Sequence, residues 1–214
     1  MSDPTPIQFP RTVAFDDKRV CLRPVTPDDR DRILAGLQKL SVETSYRRFF
    51  TPTFYPSEAE LTYLTHIDGD QHMAVGALDC TREGWPGLGL ARYVRLPDEP
   101  TVAEIAITVI DDYQRQGIGS LLLAALSQYG ATHEIEYFRG FVLAENRDFL
   151  DYLDALGACR EQTHDAVRQL DVPVYPRAAA LPDHPDLDRA HWAWRTVTEA
   201  SLGDCDTALP PSSE

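Results

Sequence analysis

The 214-residue sequence predicts one mixed α/β (α+β) domain built on a central sheet. Three observations carry this. The apolar period is helical up to about residue 65, alternates from about residue 72, and then gives a strand–loop–helix–strand–helix order. No repeat of equal strand–helix units is present, so a Rossmann arrangement is not expected. The length suffices for a single domain with a full core and some tail.

The first strand candidate is Val20–Pro24. Thr26-Pro27-Asp28-Asp29 follows: a capping residue, a proline at the first helical position and two acids at the positive end of the helix dipole. Ile33, Leu34, Leu37 and Leu40 then recur at helical spacing, and Ser41 starts a second short helix to about Arg48. Ser57-Glu58-Ala59-Glu60 has the form of a capping box for a third, with Leu61 and Leu64 on one face. His72–Asp79 and Leu88–Val94 read as strands around the turn-rich Arg82–Gly87, in which Trp85 is a loop residue. Val102–Val109 is a further strand by composition and alternation. Gly117 to about Thr132 is a strong helix with Leu121, Leu122, Ala125, Leu126 and Tyr129 on one side. Phe138–Leu143 is a strand, and Asn146–Leu156 a helix stopped by Gly157. Ala158–Thr163 and Val167–Val172 close the domain, with His164-Asp165 in their turn. Prolines punctuate the chain beyond Val172, where Leu187, Ala190, Trp194 and Val197 space out one amphipathic helix. That helix packs on the domain or on a second subunit, which leaves a homodimer open. Residues 204–214 read as disordered. The expected organisation is thus a tail at 1–19, a domain at 20–172 and an extension at 173–214.

Composition narrows the function. Twenty Lys and Arg against 34 Asp and Glu give a net charge of −14, and only Lys18 and Lys39 are lysines. So acidic a chain repels phosphate backbones, which argues against nucleic acid. It suits cationic partners such as amines, although keeping the protein soluble is the simpler account of the charge. No apolar run approaches the ~20 residues of a membrane span, and residues 1–11 lack the basic start and apolar stretch of a signal peptide. The expected location is cytoplasmic, with reduced thiols. No CxxC, HxH or HxxxH spacing supports a metal site. Asp111-Asp112 resembles a metal pair, but its neighbours suggest loop solvation and capping.

The chemistry lies in Ala103–Leu122. A strand ends near Val109, and a loop with two glycines runs straight into a helix. Such a helix start offers unpaired backbone N–H groups and a positive dipole end, and glycine lets a phosphate approach closely. Arg115 adds charge. An ordinary connection would use glycines in the same way, and on glycines alone that reading is preferred. No GK[ST] or GxGxxG is present for a nucleotide. What remains is Gln114-x-x-Gly117-x-Gly119 after a strand. It resembles the acetyl-CoA motif [Q/R]-x-x-G-x-[G/A] of the GNAT superfamily of N-acetyltransferases, and Val109–Gln114 matches the family's usual lead-in. Val20–Asp29 resembles its opening, and Asn146 with Gly157 its helix after the fifth strand. Leu40–Phe50 and Ala144–Arg147 are similar to the acetyltransferase domain of Pat-type bacterial protein-lysine acetyltransferases. Some of those carry an added regulatory or ligase-like domain, for which this length leaves no room.

The resemblance implies a GNAT fold: a mostly antiparallel twisted sheet of six to seven strands flanked by helices. It implies acetyl-CoA as donor and an amine as acceptor, either a protein lysine or a small molecule, with direct transfer in a ternary complex. Ile107, Thr108 and Val109 would hold the pantetheine arm and acetyl group through their backbone. Gln114, Arg115, Gln116, Gly117, Ile118, Gly119 and Ser120 would hold the pyrophosphate, and Asn146 would contact the donor near its sulfur. Glu104 stands where the family's general base stands; strand alternation puts it with Ala106 and Thr108, opposite Ile105, Ile107 and Val109. A solvent-facing glutamate is its plainer reading. One departure is that Leu153 occupies the place of the family's tyrosine acid, with Tyr152 about 100° around the helix. Another group would protonate the thiolate, or none would be needed. Tyr46, Phe49 and Phe50, beside the acceptor cleft, read as core. A non-catalytic acyl-CoA sensor is the rival from another class.

Overall fold

The computed structural model describes residues 7–15 and 18–202. Nine strands form one sheet: β1 (Arg11–Phe15), β2 (Lys18–Pro24), β3 (His72–Asp79), β4 (Gly87–Leu96), β5 (Glu99–Val109), β6 (Tyr137–Leu143), β7 (Cys159–His164), β8 (Val167–Pro173) and β9 (Ser201–Leu202). Their order is β7-β8-β6-β5-β4-β3-β2-β1-β9. Every pairing is antiparallel except β5 with β6. The helices are α1 (Arg30–Leu37), α2 (Val42–Phe49), α3 (Glu58–Thr65), α4 (Ile118–Ala131), α5 (Arg147–Ala155) and α6 (Asp188–Glu199). This is the mixed, mostly antiparallel fold expected, with nine strands rather than six or seven. The extra two are β1, inside the segment read as a tail, and β9. Both are short, and β9 joins through backbone pairing to Arg11 and Thr12, which leaves no side-chain pattern to read. Residues 204–214, read as disordered, lie outside the described residues.

The sheet separates two layers. On one face Met73, Val75, Ala91, Tyr93 and Ala103 are buried against α4. Ten of the fourteen residues of α4 are buried, because α6 covers the side away from the sheet. Leu187, Ala190, Trp194 and Val197 of the α6 region are at most 1% exposed. Each fully buried side chain of this size contributes roughly 1.5–3 kcal/mol, so α6 belongs to the core and its apolar stripe is satisfied within the chain. Gln128 Nε2 donates to the Trp194 carbonyl at 3.0 Å, and Trp194 Nε1 to that of Tyr175 at 2.8 Å.

The other face carries α1, α2 and α3. The start signals of α2 and α3 act as the sequence indicates: Ser41 Oγ accepts from Thr44 N–H, and Ser57 with Glu60 forms the capping box; Thr26-Pro27 instead opens a separate 3-10 turn, Pro27–Asp29, and α1 begins only at Arg30. Asp111 serves as an anchor, accepting from Ser41 N–H and Oγ and from Thr44 Oγ1, which ties α2 to the loop after β5. Among the described residues Cys80 and Cys159 are free thiols.

Asp29, 4% exposed, binds Arg23 through both oxygens (2.7 and 2.6 Å) and Arg32 at 2.9 Å. Burial by itself raises its pKa, but hydrogen bonds from Arg23, Thr26 N–H and Arg32 outweigh that and hold it below the ordinary carboxylate value. A depressed folded-state pKa contributes stability above the unfolded value of ~3.9 and loses it as pH falls through the folded value. Asp29→Asn is therefore expected to be less stable than the parent at pH 7, with the gap closing below about pH 4. Urea midpoints at pH 7 and pH 3 measure this; a gap unchanged between them would refute it.

Candidate active site

The parallel pairing of β5 with β6 covers only Val102↔Tyr137, Ala103↔Phe138 and Glu104↔Arg139. Beyond Glu104 the strands part. β6 stays bound to β8 along its whole length, from Tyr137↔Pro173 to Leu143↔Val167, and β5 stays on β4. The result is a cleft whose walls are two strand edges. Ile110 N–H donates to the Leu88 carbonyl. In an antiparallel ladder hydrogen-bonding direction alternates by residue, so the even residues of β5 point their backbone groups at β4. Those of Ile105, Ile107 and Val109 face the cleft. Gln114 Nε2 takes up the Val109 carbonyl at 3.0 Å. Of the three residues expected to bind a donor through their backbone, Ile107 and Val109 turn theirs toward this gap, where Gln114 already occupies the Val109 carbonyl. Thr108 turns its backbone to β4 and its side chain to the opposite layer.

The loop then enters α4. Gln114 is held inward, with Nε2 on Thr44 Oγ1 and the Val109 carbonyl, both at 3.0 Å. Gln116 Nε2 donates to the Asp112 carbonyl at 2.7 Å. Two residues adopt left-handed backbone, Arg115 at φ 58° and Gly117 at φ 109°. Gly117 is the N-cap of α4 and no side chain caps the helix there, so the N–H groups of its first turn (Ile118, Gly119, Ser120) lack a side-chain partner. A Cβ added to Gly119 would meet only Val109 Cγ2, at 3.7 Å. The Arg115 side chain is 84% exposed, 3.5 Å from the equally exposed Asp148, a contact worth little in water. Asn146 is the N-cap of α5 and its side chain makes no capping bond. Splayed strand edges leading to an uncapped helix start fit an extended donor with an anionic middle.

Glu104 is exposed. It shares a face with Ala106 and Thr108, as alternation requires, on the side of α1–α3. Its charge reaches Arg48 of α2 and Arg92 of β4. Arg48 stacks on Phe49 at 4.7 Å and is pushed down to about 10, by burial first and by Arg92 second. Arg92, 6% exposed, lies 5.1 Å from the Tyr63 ring centroid and donates to His72 Nε2. Burial, then the nearby Arg92 charge, lowers His72 to about 4, which keeps the imidazole neutral as an acceptor. No local pattern signals this arginine pair, since its members lie 44 positions apart on different elements. Next to it, under α1 and α2, Ile33, Leu37, Leu40, Phe49, Leu90 and Thr108 line an apolar cavity of about 100 Å³.

One expectation changes here. Tyr46 and Phe50 are 44% and 45% exposed, so they are not core. The buried face of this short helix is taken by Ser45 and Phe49, and Phe49 stacks on Phe54 at 4.2 Å. On α5, Leu153 is buried in the core, and the Tyr152 hydroxyl reaches back beside Ser120 without completing a hydrogen bond of good geometry. Burial raises its pKa, with Ser120 opposing.

Residues 19–158 match the family described as the acetyltransferase (GNAT) domain, and the chain belongs to that family of acetyl-CoA-dependent N-acetyltransferases. It is 38% identical over 186 residues to the acetyltransferase Pat of Mycolicibacterium smegmatis, covering 84% of this chain and 53% of that protein. It is 30% identical over 155 residues to acetyltransferase PA5475 of Pseudomonas aeruginosa, covering 72% of this chain and 83% of that one. Among solved structures, the GNAT domain of S. lividans PAT superposes with a TM-score of 0.67 at 25% identity, over 78% of this chain and 99% of that domain. The chain thus spans about half the length of its M. smegmatis relative. Among the described residues no helix is long and apolar enough to cross a membrane.

Proposed function

We propose that the protein transfers the acetyl group of acetyl-CoA to the ε-amine of a lysine on another protein, by direct attack within a ternary complex. The observation that carries this is the cleft between β5 and β6, which ends at the uncapped start of α4 and has Glu104 at its fork. Donor pantetheine lies along the backbone edge of Ile107 and the N–H of Val109, next to Thr108. The pyrophosphate rests on Gln114–Ser120, and Asn146 meets the donor near its sulfur. The amine enters from the α1–α3 side. Glu104 takes its proton directly or through a water, the nitrogen attacks the thioester carbon, the C–S bond breaks, and coenzyme A leaves as a thiolate. Backbone N–H groups of the cleft edge stabilise the oxygen as it gains charge.

A protein acceptor is favoured by the outer surface of α2. Val42, Tyr46 and Phe50 recur at four-residue spacing and are 65%, 44% and 45% exposed, with Tyr55 nearby in sequence at 82%. Exposed apolar stripes with aromatic anchors suit protein contact. Arg48 of the same helix and Arg92 disfavour a polycationic amine beside Glu104. The test is coenzyme A release with a lysine-bearing protein set against a panel of small amines, with mass analysis of the acetylated site. Tyr46→Ser is expected to raise KM for the protein acceptor about 5–10-fold, as loss of ~1 kcal/mol of contact does, with KM for acetyl-CoA unchanged. Release with small amines alone would refute the protein acceptor. A burst of coenzyme A without any acceptor would refute the ternary complex.

A further inference from the structure

We infer that Arg189 of α6 is a positioning residue for the donor: it sets the direction of the backbone N–H groups in the Gln114–Ser120 loop by holding the carbonyl of Arg115. The inference rests on the reading that this loop receives the pyrophosphate.

The loop contains two left-handed residues, Arg115 and Gly117, and each is met by one residue of α6. Arg189 Nη1 donates to the Arg115 carbonyl at 2.8 Å. The Trp192 ring lies 3.1 Å from where a Cβ on Gly117 would stand, and Trp192 in turn packs on Phe15 at 5.8 Å between ring centroids. A left-handed conformation at a residue with a side chain is unfavourable and persists where its surroundings impose it. The side chain of Arg115 imposes nothing, being exposed and only loosely paired. Its carbonyl is the anchored part.

Peptide planarity turns that anchor into a direction. The carbonyl of Arg115 and the N–H of Gln116 lie in one trans plane and point opposite ways. Fixing the carbonyl toward α6 fixes the Gln116 N–H away from α6. Released, this plane could rotate and remove a donor from the anion site. The anchor is itself rigid: α6 is held to α4 through Gln128 and Trp194, and its end is held to β1, where Arg11 Nη1 donates to the Ala200 carbonyl at 2.7 Å. All of α6 lies outside the 19–158 segment matched by the family, so this chain supplies the strut from its own extension. Arg189 is exposed, on an open groove of about 490 Å³ shared with Gln116, Asp188 and Trp192, so its truncation opens no core cavity.

The experiment compares the parent with Arg189→Ala, Arg189→Lys and Gly119→Asp, using calorimetric titration with coenzyme A and initial rates with acetyl-CoA and with S-acetylpantetheine, which lacks the pyrophosphate. Arg189→Ala is expected to raise Kd for coenzyme A and KM for acetyl-CoA about five-fold, as loss of one hydrogen bond does. Its kcat should stay within two-fold and its KM for S-acetylpantetheine should not move. Arg189→Lys, which keeps a donor, should recover most of the affinity. Unchanged Kd in Arg189→Ala, or an equal rise with S-acetylpantetheine, overturns the inference. Gly119→Asp separates the two levels by placing a charge against the pyrophosphate. If it binds coenzyme A like the parent, the loop reading itself fails. If it loses binding while Arg189→Ala does not, only the strut fails.

Discussion

Glu104→Gln is expected to lower kcat by about 10²–10⁴-fold, the usual contribution of a general base, while Kd for acetyl-CoA changes less than two-fold. The substitution keeps the shape of the side chain and removes the group that takes the proton. Glu104 is exposed and lies outside the donor edge of β5 at Ile107 and Val109, so donor affinity is not expected to depend on its charge. A lysine amine is overwhelmingly protonated near neutrality, with an ordinary pKa of ~10.4. The variant's residual rate should therefore rise with pH toward that value as free amine accumulates, more steeply than the parent's. Pre-steady-state acetyl transfer at pH 7 and pH 9 measures both effects. A kcat within a few-fold of the parent would remove Glu104 from the mechanism and leave the donor site standing.

The second large effect is on stability. Arg139 is the last residue of β6 paired with β5, at the point where the cleft opens. Its guanidinium makes two bonds to Asp171 of β8, at 2.8 and 2.9 Å, and two to Glu99 at the start of β5, at 2.5 and 3.1 Å. The bonds from Asp171 and then Glu99 raise its pKa above the ordinary arginine value, so it is a fixed charge. The Asp171 side chain is 0% exposed, and its other cation, Arg160, stands 3.6 Å away and is itself 56% exposed. Arg139→Met leaves a buried carboxylate poorly compensated, a loss of about 3–5 kcal/mol when one partner of a buried pair is removed. Adding Asp171→Leu should return much of it, because an apolar pair of similar volume is often as stable as the ion pair. Urea unfolding of the two single variants and the double tests this. A single variant within 1 kcal/mol of the parent would mean that the fork is held by backbone pairing alone.

Much of the fold is legible because local chemistry and final structure agree. The Ser41 and Ser57 caps, the limits of β3, the start of α4 at Gly117 and the stop at Gly157 follow from rules acting within a few residues. What was missed follows from contacts made at long range. β9 pairs through its backbone, which leaves no residue preference. The exposure of Tyr46 and Phe50 depends on which side of a two-turn helix meets the sheet. Tyr152 comes beside Ser120 through the tertiary placement of α5, which angle on a single helix does not give. The Arg48–Arg92 pair requires α2 to pack on the sheet, where it meets β5.

By itself the sequence determined the order of elements, the helix start at Gly117 and the motif Gln114-x-x-Gly117-x-Gly119, because capping, dihedral preference and alternation are short-range effects carried by residue type. It also placed Glu104 opposite Ile105 and Ile107, since strand alternation needs no partner. Only the tertiary structure decided that β5 and β6 part after Glu104, that Ile107 and Val109 rather than Thr108 face the gap, and that α6 braces the loop from behind. Those outcomes depend on strand register, on the hold of β8 on β6 and on the packing of a helix some 70 residues away from the loop it touches, and the free energy of such contacts is shared among segments that no local pattern links.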